Sequence, residues 1–167
     1  NYYLVLGSNF DAEHQIESAM IQIQKTFNVV QQSRVFMGKS EGDTSLADFL
    51  NMAVHIRSEL NPESFKVACR EIEMFVQQYY IQVSGRKIID IDVIYYDGVS
   101  IQSDIISLPY PHIDHFTHIS LPLSDIIPEI SPYNDGRTFL EMAKHCLEKH
   151  ELYSIEWEPD CKVRVLS

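Results

Sequence analysis

The sequence predicts an α+β sandwich of the split βαβ kind, with further elements at the C-terminal end. Short β-prone runs and two stretches of helical periodicity follow one another in the order β-α-β-β-α-β. The 167 residues suffice for one domain with a hydrophobic core, since 45% of them are apolar. No repeat or low-complexity segment divides the chain, so we expect a single domain over residues 1–167.

The first half of the chain has β-prone runs on either side of an amphipathic helix. Apolar residues between Ile16 and Phe27 recur at helical spacing, after a turn at residues 7–9. The polar stretch 38–48 separates two β-prone runs and is long enough for a functional loop. The predicted elements are a strand at 2–6, a helix at 16–27, and strands at 28–37 and 49–56.

The second half opens with a strong signal for a helix start. Asn61 is a preferred N-cap residue, Pro62 suits the first helical position, and Glu63 places a negative charge in the first turn. Apolar residues from Phe65 to Val76 recur at helical spacing, Gly85 breaks that pattern, and a turn at residues 97–98 closes the next strand. The predicted elements are that helix, a strand at 87–96, a last helix at 139–148, and closing strands at 153–157 and 162–166.

The composition argues against several classes of protein. Thirteen Lys and Arg residues against 24 Asp and Glu give a formal net charge of −11, which disfavours nucleic acid as a partner. Cys69, Cys146 and Cys161 lack C-x-x-C spacing, so neither a disulfide framework nor a zinc knuckle is expected. No apolar run approaches the ~18 residues of a membrane span, and the N-terminal residues do not resemble a signal peptide. We therefore expect a soluble cytoplasmic protein with reduced thiols.

Asp90 and Asp92 are the most informative polar pair. They lie two positions apart in a predicted strand, so both carboxylates project from one face with a spacing of about 6.6 Å. Such a pair is costly in an apolar run unless a cation lies between the carboxylates, and hard oxygen ligands suit Mg²⁺ that carries a substrate phosphate. Arg86 and Lys87 lie at the start of the strand, just before the acidic pair, where they could bind phosphate oxygens. The alternative is an exposed strand face with solvated charges.

His112, Asp114, His115 and His118 form a second group of candidate ligands. A spacing of three on a helix would align the histidines on one side, where they could bind zinc or iron. Two nearby prolines disfavour a helix, however, and histidines are common in surface loops. Ordinary solvated side chains are therefore the alternative.

Six segments, taken in order, carry a resemblance to a known family. They are Gly7-Ser8-Asn9, Phe49-Leu50-Asn51-Met52-Ala53-Val54, Glu71-Ile72-Glu73, Gly85 to Ile94, Pro111-His112, and Leu121-Pro122-Leu123 with Ile127-Pro128-Glu129. Together they resemble hydroxymethyl-dihydropterin pyrophosphokinase from about residue 2 to about residue 130. The most specific segment is the D-x-D strand with its apolar run.

The resemblance implies a ferredoxin-like βαββαβ sandwich with C-terminal helical and strand additions. It also implies transfer of pyrophosphate from ATP to the hydroxymethyl group of a reduced pterin in folate biosynthesis, a reaction that requires mainly positioning and neutralisation of charge. Asp90 and Asp92 would bind Mg²⁺. The other implied roles are a basic residue at Lys87 or Arg86, an ATP contact at His112, pterin contacts at Asn51 and Phe49, and a carboxylate at Glu73, at the end of the second helix near residues 71–73. The turn after the first strand can offer backbone N–H groups at Gly7 and the Asn9 amide to a ligand.

The chain departs from the family at several basic positions. Residues such as Gln77 and Gln82 stand where the family has arginines, Ser84 replaces a tryptophan, Phe116 replaces an arginine, and 38–42 replaces a threonine-proline-rich wall. Loss of such cations can cost on the order of 10² to 10⁵ in rate. The alternative function is therefore a divergent homologue that binds nucleotide or pterin without efficient turnover.

Overall fold

The computed structural model describes residues 1–38, 48–84, 88–148 and 152–154. Strands and helices follow the predicted order, and the C-terminal part adds short elements. In chain order they are β1 (Tyr2–Ser8), α1 (Ala12–Thr26), β2 (Asn28–Gln32), β3 (Phe36–Gly38), β4 (Phe49–Arg57), α2 (Pro62–Ser84), β5 (Asp90–Tyr96), β6 (Ile101–Gln102), β7 (Ser107–Leu108), a 3₁₀ turn (Ile113–His115), α3 (Thr117–Ile126), α4 (Phe139–Leu147) and β8 (Leu152–Ser154).

The main sheet has the strand order of a ferredoxin-like fold. Six strands of the described chain form it in the order β5-β1-β4-β3-β8, with β2 also paired to β4. All pairings are antiparallel, and β1 lies between β4 and β5. β2 and β3 together take the place of one predicted strand, so the predicted fold class is confirmed.

Helices cover both faces of this sheet. The first face, which includes Leu6, Met52 and Ile91, packs into a core with residues of α1 and α2. The second face, which includes Val5 and Ala53, packs into a smaller core with residues of α3 and α4. Because side chains alternate along each strand, successive residues of a strand lie on opposite faces of the sheet.

The predicted strand at 28–37 is divided in two. Ser33 separates β2 from β3: its N–H donates to the Ala53 carbonyl at 2.9 Å. Its hydroxyl oxygen accepts from the Ala53 N–H at 2.8 Å. The Ser33 side chain thus replaces a backbone carbonyl as the partner of β4, so the chain can leave the regular ladder there without losing a hydrogen bond.

The start of α2 is confirmed, but the end near residues 71–73 that the resemblance implies is wrong. The Asn61 Oδ1 accepts from the Ser64 N–H at 2.9 Å, which is the N-cap bond expected from the sequence. The helix then continues past Glu73 to Ser84, because no Gly or Pro interrupts residues 74–84. The glutamines expected between α2 and the next strand, Gln77 and Gln82, therefore lie within the helix.

The C-terminal elements are confirmed in part. α4 begins at Phe139 as predicted, with a capping box between Thr138 and Glu141. β8 overlaps the strand predicted at 153–157, whereas the strand predicted at 162–166 lies outside the described residues. Among the described helices, none combines the length and apolar character needed to cross a membrane.

Candidate functional site

A row of residues crosses the sheet at one end of its second face. Gly7 of β1 is paired on one side with Asn51 of β4 and on the other with Asp90 of β5. Phe36 of β3 extends the row beyond Asn51. Neighbouring strands lie about 4.8 Å apart, so Asn51 and Asp90 are separated by about 10 Å across Gly7. The register thus places the predicted pterin residue and a predicted metal ligand on one surface.

Gly7 leaves space that the Asn51 side chain uses. A Cβ atom at position 7 would lie 2.9 Å from the Asn51 Oδ1. The Asn51 side chain is almost fully buried, with 3% of the residue exposed, and its Nδ2 has no hydrogen-bond partner in the described part of the chain. This amide therefore offers a buried donor that a ligand could use. Phe49 lies on the same face two residues earlier and is partly exposed.

Asp90 and Asp92 share the second face, as the sequence predicts. Asp90 is exposed, and the Asp92 side chain is 38% exposed. Between and after them, Ile91 and Val93 point into the core of the first face. The acidic pair therefore borders solvent on a strand whose other face is fully apolar. Two carboxylates on one face, one exposed and one partly exposed, offer hard oxygen donors that fit Mg²⁺.

Side chains of α2 bind the outer edge of β5 and the segment just before it. The Glu73 Oε1 accepts from the Ile91 N–H at 2.6 Å, and the Gln77 Oε1 accepts from the Ile88 N–H at 3.3 Å. The Lys66 Nζ donates to the Ile91 carbonyl at 3.0 Å. Glu73, predicted to belong to the site, is buried and holds the acidic strand in place through this bond.

Lys66 is a cation that the sequence analysis missed. Its Nζ lies 3.5 Å from the Asp92 Oδ1, and its side chain is 14% exposed. The sequence does contain a pattern that indicates this contact. Lys66, Glu73 and Gln77 are spaced by seven and four residues, so they share one side of a helix. That side borders the apolar stripe, so its polar residues must meet the edge of the sheet. The sequence does not show, however, which residues of α2 lie beside which residues of β5.

The loop that carries His112 is fixed from two sides. The Tyr110 N–H donates to the Ile94 carbonyl of β5 at 2.8 Å. The Tyr133 hydroxyl donates to the Tyr110 carbonyl at 2.6 Å and accepts from the Ile113 N–H at 2.9 Å. His112, between these anchors, is exposed and has a left-handed backbone with φ of 60°.

The negative charges of Asp90 and Asp92 affect Tyr110 in this loop. Burial raises the pKa of the Tyr110 hydroxyl, and the negative charges of Asp92 and Asp90 raise it further. Tyr110 thus lies within electrostatic range of both carboxylates. The structure thus places the His112 loop beside the acidic strand.

The remaining predicted residues fall into two groups. Asn9 directly follows β1 and is partly exposed, next to Ser8, whose hydroxyl donates to the Ile88 carbonyl at 2.6 Å. That bond ties the turn after β1 to the segment before the acidic strand. Arg86 and Lys87 lie outside the described residues.

The histidine cluster does not converge on a metal site in the part of the chain described. The rings of His112 and His115 stack with centroids 5.3 Å apart, while His118 contacts the Phe116 ring. Asp114 instead pairs with the Arg137 guanidinium at 2.8 Å. Burial alone would raise the pKa of Asp114, but the hydrogen bond and charge of Arg137 outweigh it and lower that pKa. Within residues 1–38, 48–84 and 88–148, no three His, Cys, Asp or Glu side chains group as metal ligands.

The sequence of the chain matches one protein family over most of its length. A sequence model described as 7,8-dihydro-6-hydroxymethylpterin-pyrophosphokinase (HPPK) matches residues 3–128. The chain belongs to the HPPK family. The resemblance inferred from the six segments is therefore confirmed, and the matched range contains the Asn51–Gly7–Asp90 row and the His112 loop.

Similar proteins agree with this family. The chain is 31% identical over 131 residues to a 2-amino-4-hydroxy-6-hydroxymethyldihydropteridine pyrophosphokinase of Methylorubrum extorquens, covering 77% of this chain and 83% of that one. It is 30% identical over 136 residues to the enzyme of the same name from Porphyromonas gingivalis, covering 78% and 92%.

The solved structures that the chain resembles show the same fold. A Plasmodium falciparum HPPK-DHPS triple mutant with STZ-DHP superposes with a TM-score of 0.69 at 16% identity. The match covers 88% of this chain and 43% of that chain. This chain thus spans less than half of the Plasmodium protein, and the likeness concerns the HPPK fold.

Proposed function

We propose that this chain transfers the pyrophosphoryl group of ATP to the hydroxymethyl group of 6-hydroxymethyl-dihydropterin, a step of folate biosynthesis. Membership of the HPPK family supports this reaction. The structural observation that carries the proposal is the row in which Asn51, Gly7 and Asp90 are adjacent on three paired strands. It brings a group suited to a pterin and a group suited to a metal–phosphate complex to one surface.

Asn51 binds the pterin in this proposal. Its side-chain amide offers one acceptor and two donors, which match the donor and acceptor edge of a pterin. The Nδ2 that has no partner among the described residues would gain one from this ring. Phe49 offers an aromatic face two residues away on the same side of β4.

Asp90 and Asp92 bind the nucleotide through Mg²⁺. When bound, the ion neutralises part of the charge on the phosphates of ATP. His112 contacts ATP from the neighbouring loop, and Arg86 or Lys87 adds positive charge just before the acidic strand. Glu73 contributes by fixing the backbone between the two acids, through its 2.6 Å bond to the Ile91 N–H.

The reaction breaks a phosphoanhydride bond of ATP and forms a phosphoester bond to the pterin. The hydroxymethyl oxygen of the pterin forms a bond to the β-phosphorus of ATP and loses its proton to solvent or a nearby base. The bond between that phosphorus and the oxygen that bridges to the α-phosphate breaks, and AMP leaves with the electron pair. The protein contributes mainly by positioning the two reactants, and no side chain at position 7 separates them.

The experiment is incubation of the full chain with ATP, MgCl₂ and 6-hydroxymethyl-dihydropterin, with AMP and the pterin pyrophosphate measured by chromatography. AMP should form in proportion to the pterin product and only when pterin is present. Asp92→Asn should abolish product, whereas Asp104→Asn, which changes an exposed acid after β6, should not. Nucleotide-dependent AMP release without pterin product would contradict the proposal.

A binding protein without turnover is the second candidate, and one observation favours it. Gln77, where the resemblance leads us to expect an arginine, is buried and bonded to the Ile88 N–H, so it offers no charge to a phosphate. Calorimetry separates the two functions. Binding of pterin and of an ATP analogue, combined with no product above background, would favour the binding protein.

A further inference from the structure

Lys66 occupies an unusual position for a lysine. It comes from α2, which packs on the first face of the sheet, yet its ammonium group contacts Asp92, which belongs to the second face. The side chain must therefore pass around the outer edge of β5. With 14% of its side chain exposed, most of its length is buried against the protein.

Two contacts hold the ammonium group at this edge. Its Nζ donates to the Ile91 carbonyl at 3.0 Å and lies 3.5 Å from the Asp92 Oδ1. The Ile91 N–H is bonded by Glu73 at 2.6 Å, so both backbone polar groups of Ile91 are bonded by side chains of α2. If Lys66 moved away, the Ile91 carbonyl would lose its bond to this ammonium, which favours a fixed position.

A fixed cation at this place affects any metal ion bound by Asp92. A lysine ammonium cannot serve as a ligand, because it has three donors and no lone pair. It competes with a metal ion for the Asp92 carboxylate and repels that ion. Even at the dielectric constant of water, a unit charge and a divalent ion about 5 Å apart repel by an energy equivalent to on the order of tenfold in affinity.

We infer that Lys66 is a built-in counter-cation of Asp92 that keeps the acidic pair from binding a free divalent ion tightly, so that the metal arrives together with the nucleotide. A metal ion bound to ATP carries the negative charge of the phosphates with it, and Lys66 attracts that complex as a whole. The ammonium group thus discriminates against the free ion and in favour of the metal–nucleotide complex. This inference rests on the proposed role of Asp90 and Asp92.

The test is binding of Mn²⁺ alone to the full chain, measured as free Mn²⁺ by electron paramagnetic resonance. Mn²⁺ suits the same oxygen ligands as Mg²⁺. Lys66→Met keeps most of the buried aliphatic length and removes the charge. We expect this variant to bind Mn²⁺ on the order of tenfold more tightly than the natural chain. Lys66→Arg retains a positive charge and should keep the weak affinity.

Two further variants make the result decisive. Lys25→Met removes an exposed lysine from the last turn of α1 and should leave Mn²⁺ affinity unchanged. Lys66→Met combined with Asp92→Asn should not show the increase in Mn²⁺ affinity, because the carboxylate that Lys66 contacts is then absent. Unchanged or weaker Mn²⁺ binding by Lys66→Met would overturn the inference. If Asp92→Asn still abolished product formation in that case, the proposed function would stand while the role of Lys66 failed.

Discussion

The two faces of the central sheet differ in what their residues do. The first face is apolar along every central strand, with Leu6, Met52 and Ile91 all buried against α1 and α2. The second face begins in the same way, with Val5 and Ala53 under α3 and α4, but changes to polar residues at one end. There β4, β1 and β5 contribute an asparagine, a glycine and an aspartate, which add little to a hydrophobic core.

The first face therefore contributes mainly to stability, and the polar end of the second face contributes mainly to ligand binding. Burial of the first face supplies the hydrophobic free energy that holds the domain together. The polar end of the second face leaves a buried amide without a described partner and brings two carboxylates close together, both of which oppose folding. Substitutions on the first face should therefore change mainly stability, and those in the polar row should change mainly ligand binding.

Phe65→Ala should have the largest effect on stability. Phe65 is fully buried on the first face, and its ring stacks on Tyr2 with centroids 3.8 Å apart. Its truncation should lower the free energy of unfolding by about 3–5 kcal/mol, measured by urea denaturation. Phe75→Ala, at a residue of the same helix that is 55% exposed, should cost less than about 0.5 kcal/mol. Equal losses for the two variants would refute the assignment of the first face as the main core.

Gly7→Ala tests the close packing within the polar row. Its new Cβ would lie 2.9 Å from the Asn51 Oδ1, so the variant should lose about 1–3 kcal/mol of stability and bind pterin less well. Asn51→Ala removes the atom that is contacted. In that background the same change at position 7 should cost less than half as much, and urea denaturation of the four proteins in this double-mutant cycle measures the coupling. Additive losses would show that the contact does not exist in solution.

The smallest effect belongs to an ion pair on the second face, away from the polar row. Arg34 binds Asp125 of α3 at 2.7 Å, with 64% of the Arg34 side chain exposed, so Arg34→Met should cost less than about 1 kcal/mol at neutral pH. Burial would raise the pKa of Asp125, but hydrogen bonds and charge from Arg34 lower it overall.

The pH dependence of this pair follows from that lowered pKa. A carboxyl group with a lower pKa in the folded state stabilises the fold above its unfolded pKa of about 4, and this contribution disappears as the pH falls through the folded value. The stability difference between Arg34→Met and the natural chain should be constant from about pH 5 to 8 and should shrink below about pH 4. A difference that grows on acidification would contradict this account.

Much of the fold follows from local signals. The N-cap at Asn61 and the two-residue spacing of Asp90 and Asp92 are encoded in a few adjacent residues, and the structure has both. The helical spacing through Val76 and the glycine at position 85 agree with a helix that ends at Ser84, whereas the end near residues 71–73 rested on the resemblance alone. The break at Ser33 depends on a bond to Ala53, twenty residues away in sequence, and so has no local signal.

The candidate site was predictable as a set of residues but not as an arrangement. Alternation along each strand places Asn51 and Asp90 on a particular face, yet their alignment across Gly7 depends on the registers of β4 and β5 against β1. Lys66 was missed for a similar reason. Its contact with Asp92 exists only because α2 packs along the edge of β5, which is a property of the tertiary structure.

The most direct test of the account concerns the two acids and the nucleotide. The affinity of the full chain for a non-hydrolysable ATP analogue would be measured by calorimetry with MgCl₂ and with EDTA, for the natural chain and for Asp90→Asn combined with Asp92→Asn. Magnesium should strengthen binding by about tenfold or more in the natural chain, equal to at least 1.4 kcal/mol, and should have no effect in the double variant. An equal magnesium effect in both proteins would contradict the assignment of these carboxylates as the metal ligands.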